Sequence, residues 1–129
     1  MSMRYEIRQE PGHTRVNVSG EYEPATAIAI LKAGIEAALA HGFHKLLVDA
    51  RQLTGNPKTM QRFEFSESIA RFYHEKRGPD FLRLALVGNE PLIDPERFGA
   101  VVANNRGLPA KATTSMDEAL KFLDLEGPR

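Results

Sequence analysis

The chain contains no cysteine among its 129 residues. That absence excludes a disulfide framework, a thiolate nucleophile and cysteine-ligated zinc, and it fits a reducing compartment. Net charge is missing too, because seventeen basic side chains balance seventeen acidic ones. A general nucleic-acid binder needs a basic field to meet phosphates, so that class is set aside, with only a local basic patch left open. Long hydrophobic runs are also lacking. No apolar stretch approaches the roughly 18 residues that a membrane span requires. The opening residues Met1-Ser-Met-Arg-Tyr-Glu-Ile-Arg8 have no apolar core of the kind a secretion signal carries. The expectation is a cytoplasmic protein with no stable membrane insertion.

The hydrophobic fraction of 42% and charged fraction of 26% are ordinary for a globular chain of this length. One domain over residues 1–125 is expected, with a loose tail at 126–129. Met3 to Arg8 and Arg15 to Gly20 alternate in polarity around the turn signal Glu10-Pro-Gly-His13, which predicts a β-hairpin. An Ala-rich segment from about Ala25 to His41 repeats Ile28, Leu31, Ile35 and Leu39 at helical spacing and stops at Gly42. Gly34 in its middle costs roughly 1 kcal/mol against alanine, which suggests a close approach to the sheet.

Lys45-Leu-Leu-Val-Asp49 is an apolar run with a charge at each end, read as a strand buried on both faces. A polar turn follows, and Pro57 suits the first position of a helix reaching about Lys76, with Phe65, Ile69, Phe72 and Tyr73 inward. On another face of that helix Glu67 and Arg71 stand in the favourable i,i+4 order. Gly78-Pro79 breaks the helix, and Phe81 to Val87 is a second buried strand. Asp94-Pro95 predicts the start of a helix with Phe98, Val101 and Val102 inward, ending at Gly107. Pro109 to Thr113 is a short last strand. Ser115-Met-Asp-Glu118 fits a capping box that opens a last helix with Ala119, Leu120 and Leu123 inward. The order ββαβαβαβα predicts an α/β fold: a mostly parallel mixed sheet with one antiparallel edge strand and helices packed on it.

This order, together with Lys45-Leu-Leu-Val-Asp49, Phe81-Leu-Arg-Leu-Ala-Leu-Val-Gly88 and Ala103-Asn-Asn-Arg-Gly107…Ser115-Met-Asp-Glu-Ala-Leu-Lys-Phe-Leu123, resembles the STAS domains typified by bacterial anti-anti-sigma factors. More narrowly it resembles the SpoIIAA-like, or STAS/Sec14-like, group. The resemblance implies a regulatory interaction or ligand-sensing module that is not an enzyme and needs no cofactor. It also raises apolar or amphipathic ligands, as for a Sec14-like carrier. Anti-anti-sigma factors carry a phosphorylatable Ser preceded by Asp where the loop enters the helix. Here that position falls near Pro57-Lys58-Thr59, no Asp-Ser pair is present, and Thr54 and Thr59 are the nearest hydroxyls. The phosphoswitch is therefore not carried over.

In open α/β sheets, function gathers where the strands end at their carboxyl side. Asp49, Arg51, Thr54, Asn56 and Lys58 are placed on that rim as ligand- or partner-binding candidates. Asp49 reads either as an acid, base or gate, or as a carboxylate accepting backbone N–H groups of the following turn. Thr54-Gly-Asn56 with Lys58 and Arg62 reads either as an anion cradle at a helix start or as a plain turn. Met60 and Phe63 exceed what one buried stripe needs and are candidates to line a pocket or partner surface, with Phe63 first. Arg106 reads either as a fork for carboxylate or phosphate or as a helix-end cation. His13, His41, His44 and His74 show no metal-ligand spacing, so no metal is expected. The partners expected are a protein or a small apolar or anionic ligand, with self-association through the edge strand or second helix left open. An enzyme using Asp49 with a rim His or Lys is the least favoured reading.

Overall fold

The computed structural model describes residues 2–42 and 44–125, so the expected loose tail at 126–129 lies outside the described residues. The elements are β1 (Arg4–Glu10), β2 (His13–Glu21), α1 (Pro24–Ala40), β3 (Lys45–Thr54), α2 (Thr59–Lys76), β4 (Arg83–Gly88), α3 (Phe98–Asn105), β5 (Ala110–Thr113) and α4 (Met116–Phe122). They follow the order predicted. The five strands lie in the sheet in sequence order. β1 and β2 are antiparallel, and β2 to β5 pair in parallel.

That monotonic order dictates the layering. Crossovers between parallel strands are right-handed, so strands added always on the same side place every connecting helix on one face. α1, α2 and α3 accordingly share a face, where Ile30, Leu31, Ile35, Ile69 and Tyr73 close over Val16, Val18, Leu46, Val48 and Leu84. α4 follows the last strand and turns to the other face, where Ala119, Leu120 and Leu123 cover Leu47, Ala85 and Val87. β4 and residues 46–48 of β3 are therefore apolar on both faces, as their sequences indicated. β1 and β2 have no helix on the α4 side, and their outward residues there are polar: Arg4, Glu6 and Arg8 beside Arg15, Asn17 and Ser19.

Several boundaries and faces differ from the sequence reading, each for a tertiary reason. β3 does not end at Asp49. Pairing with β2 continues to Glu21↔Thr54, across an irregularity where Ala50 and Arg51 stand against the single residue Val18. This bulge keeps Ala50 and then Leu53 on the inner face. Pro57 lies outside α2, whose N-cap is Lys58. α3 starts at Phe98 rather than beside Asp94, and its N-cap Arg97 is left-handed at φ 56°. It meets α2 through small groups, with Gly99 against Ser66, which leaves Val101 outside and buries Ala103 beside the expected Val102. α1 is likewise rotated from the expected stripe, so that Ala27, Ile30, Gly34 and Ala38 are buried and Ile28 and Leu39 only partly so.

Gly34 lies against the sheet as expected: a Cβ there would stand 2.9 Å from Val16 Cγ2. Val16 is itself fully buried and has little room to yield. Gly34→Ala should therefore lose about 1–3 kcal/mol to overpacking against at most ~1 kcal/mol of helix propensity gained. Urea unfolding is expected to show a net loss. A more stable variant would mean that α1 moves off the sheet without penalty.

Candidate functional site

Asp49 is not on the rim. It sits in mid-β3 and faces away from α2, onto the open polar side of the sheet. Its Oδ2 accepts from Arg15 Nη2 at 2.6 Å and from Arg51 Nη2 at 2.8 Å, while Oδ1 accepts from the Arg51 side chain at 2.9 Å and from the Arg51 backbone N–H at 3.1 Å. The carboxylate thus holds the amide of the bulged residue, which is the turn-capping role shifted into a strand. Burial works to raise its pKa, but the hydrogen bonds from Arg51 and the charges of Arg51 and Arg15 outweigh it. They hold the carboxyl below the ordinary 3.8. A carboxylate kept ionised by two guanidinium groups is a poor proton acceptor. Arg51 is likewise occupied, and its carbonyl accepts from Asn89 Nδ2 at 3.0 Å. Arg15 was missed in the sequence, although an outward arginine on a strand beside Asp49 was a usable signal.

The anion cradle also dissolves. Thr54 Oγ1 donates to Gly20 O at 3.2 Å, and Gly55 is packed on Tyr22, where a Cβ would stand 2.7 Å away. The Lys58 N–H is taken by Gln61 Oε1 at 2.8 Å. Arg62, the expected helper, is turned inward. It donates to Leu92 O at 2.6 Å and Pro91 O at 2.9 Å, stands 3.6 Å from Asp94, and reaches Asn56 Oδ1 only at 3.5 Å. Asp94 in turn accepts from Phe98 N at 3.1 Å, so it caps α3 from outside the helix. This Arg62–Asp94 latch ties the start of α2 to the start of α3. Nothing in residue spacing announced it.

Beneath the latch lies an apolar cavity of about 110 Å³ between the sheet and α2 and α3, lined by residues including Val48, Leu53, Phe65, Ile69, Leu84 and Ala103. Phe65, read as inward, lines it, but the pocket candidates Met60 and Phe63 do not. An apolar cavity of about 150 Å³ accommodates benzene, so this one admits a few heavy atoms rather than a lipid chain.

Met60 instead is exposed at the beginning of α2, next to exposed Lys58, and Phe63 is half-buried there. Met60 is 64% exposed. Arg106 reaches back from the end of α3, its guanidinium carbon 5.1 Å from the Phe63 ring centre, and pairs with Glu67 at 3.4 Å. Glu67 also pairs with Arg71 as predicted. Of the eight binding candidates, the structure therefore gathers Lys58, Met60, Phe63 and Arg106 about α2. It spends Asp49, Arg51 and Thr54 on the sheet, and Asn56 only touches the latch.

The histidines serve local structure. His74 Nε2 donates to Arg106 O at 2.6 Å, and His41 Nδ1 lies 2.9 Å from Ala37 O. Burial lowers the pKa of His13. Among the described residues, no group of three His, Cys, Asp or Glu side chains is placed to hold a metal ion, and no helix is long and apolar enough to cross a membrane. The capping box of α4 forms by half: Glu118 N donates to Ser115 Oγ at 3.2 Å, while Ser115 N turns to Thr113 Oγ1.

Two variants test these assignments. Asp49→Asn should lose about 1–3 kcal/mol near neutral pH, because Arg15 and the bulge amide lose a charged acceptor. The folded-state pKa is depressed, so the contribution is present above 3.8 and fades as pH falls through the lower folded value. Urea unfolding of wild type and variant should then converge in acid; a gap independent of pH would assign Asp49 a purely steric role. Arg62→Ala should cost about 2 kcal/mol or more by stranding the Leu92 and Pro91 carbonyls. Hydrogen exchange should rise in residues 89–98, and unchanged exchange there would remove the latch.

A scan against protein-family models finds none that matches the chain, and no curated protein matches it in sequence. Among solved structures the chain is similar to the crystal structure of an anti-sigma factor antagonist from Mycobacterium paratuberculosis. The two are 23% identical, the match covers 95% of each chain, and the TM-score is 0.60. Identity at that level speaks for the fold alone. With its five-stranded sheet and one antiparallel pair, the chain has the STAS fold.

Proposed function

We propose that residues 1–125 form one cytoplasmic domain that regulates by binding a partner protein and catalyses no reaction. The contact surface is the start of α2 with the end of α3: Lys58, Met60, Phe63 and Arg106. One observation carries the reading. Met60 and Phe63 stand three residues apart on α2, both outside the cavity, and cations flank them. Methionine, aromatic and arginine side chains together form the kind of patch enriched where proteins meet. The solved protein of the same fold is named as the antagonist of an anti-sigma factor, a role exercised on another protein. A partner for this chain would meet α2 without a phosphoserine, since no Asp-Ser pair stands at the loop. The alternative, a carrier of apolar or amphipathic molecules, finds less support, because the cavity of about 110 Å³ is small for that cargo.

The test is site-specific photo-crosslinking in lysate from the source cell. A photoreactive residue at position 60 should capture one protein that the same residue at Lys121, exposed on α4, does not. Binding of that protein should weaken about tenfold or more in Met60→Asp and Phe63→Ala, in keeping with about 1–2 kcal/mol for a truncated anchor. Circular dichroism would confirm that both variants fold. Equal capture from both positions, or unchanged affinity in both variants, would retire this surface.

A further inference from the structure

The two edges of the sheet are treated differently. At β5, Asn104 stands in for a missing strand: its Nδ2 donates to Ala110 O at 2.7 Å and its Oδ1 accepts from Ala110 N at 3.3 Å. Arg97 Nε closes the same edge at Ala112 O, 3.0 Å away. Among the described residues, no such side chain covers β1, although its seven residues make a longer edge than the four of β5. An open edge of this length is a template for another strand.

The residues of that edge specify which strand fits. β1 reads Arg4-Tyr-Glu-Ile-Arg-Gln-Glu10. Arg4, Glu6, Arg8 and Glu10 share the open face, with charges alternating in sign. Tyr5, Ile7 and Gln9 lie on the face shared with Val18, Val16 and Thr14 of β2. The hairpin turns through two residues, Pro11 and Gly12, between the paired Glu10 and His13. A two-residue turn closes on a mutually hydrogen-bonded pair, and hydrogen-bonded and free pairs alternate along an antiparallel ladder. The amides and carbonyls of Tyr5, Ile7 and Gln9 therefore point away from β2.

We propose that β1 pairs with β1 of a second copy of this chain, antiparallel about a two-fold axis at Ile7. In that register Ile7 meets Ile7, Tyr5 meets Gln9, and the three outward amides find carbonyls. Arg4 stands opposite Glu10 of the second copy, and Glu6 opposite Arg8. Axes at Glu6 or Arg8 would instead set like charges against each other, and a parallel alignment would line the strand up against its own signs. Only the axis at Ile7 uses all seven residues and matches all four charges. The pairing also relieves Arg8, which faces Arg15 across the hairpin and, among the described residues, is paired with Glu10 at 3.2 Å. The proposal is independent of the α2 surface, which lies on other elements.

Sedimentation equilibrium of the full chain, from about 10 µM to about 1 mM, suits an interface of this small class. A monomer–dimer equilibrium is expected, with slower exchange of the Tyr5, Ile7 and Gln9 amides at high concentration. Arg8→Glu should raise the dissociation constant at least tenfold, because symmetry reverses two pairs at once. The double variant E6R/R8E restores opposite charges and should return it to within about threefold of wild type. Circular dichroism checks each variant, and the double variant keeps the test valid if the single one folds poorly. A chain monomeric throughout, a dimer indifferent to Arg8→Glu, or a folded double variant that stays monomeric would each overturn the proposal.

Discussion

Leu46, Leu47 and Val48 are buried on both faces of a strand that is hydrogen-bonded along both edges. A backbone in that position has no recourse to water, so its amides must be met by β2 and β4 and its side chains by helices on either side. α1 and α2 answer this demand on one face and α4 on the other. The rest of the molecule is arranged around satisfying this strand.

The supply of helices is uneven. Three crossovers are forced to one face by handedness, and only the short α4 is left for the other. It reaches β4 and β5 and the near half of β3, and the remaining sheet face is finished with charge. Asp49 belongs to that finish. Its two arginines neutralise it, and its Oδ1 holds the amide freed by the bulge. The same shortage leaves the outer side of the β1–β2 hairpin bare, which is why an alternating row of arginine and glutamate is tolerated there.

On the crowded face the helices are held by close contact as much as by bulk. Gly34 lets α1 settle on Val16, and Gly99 lets α3 settle on Ser66. The Arg62–Asp94 latch then fixes the α2 start over the small cavity. Met60 is left exposed and Phe63 half-buried beside it, and the end of α3 brings Arg106 onto Phe63. A surface for a partner emerges as a consequence of how α2 and α3 pack.

The sequence by itself determined the number, type and order of the elements, because periodicity, Gly and Pro punctuation and the Ser115 cap are local signals. It also showed Leu46 to Val48 as a doubly buried strand and Gly34 as a point of contact. Only the tertiary structure decided how far β3 runs, since Arg51 to Thr54 are polar enough to read as a turn and are held extended by pairing with β2, with Asp49 and Asn89 meeting the Arg51 backbone. It also decided the direction of each candidate side chain. A strand alternates faces, so Asp49 falls on the face opposite Leu46, Val48 and the α2 helix that carries Met60. Long-range partners such as Arg15 for Asp49 and Asp94 for Arg62 are set by strand order and helix placement, which no spacing along the chain encodes.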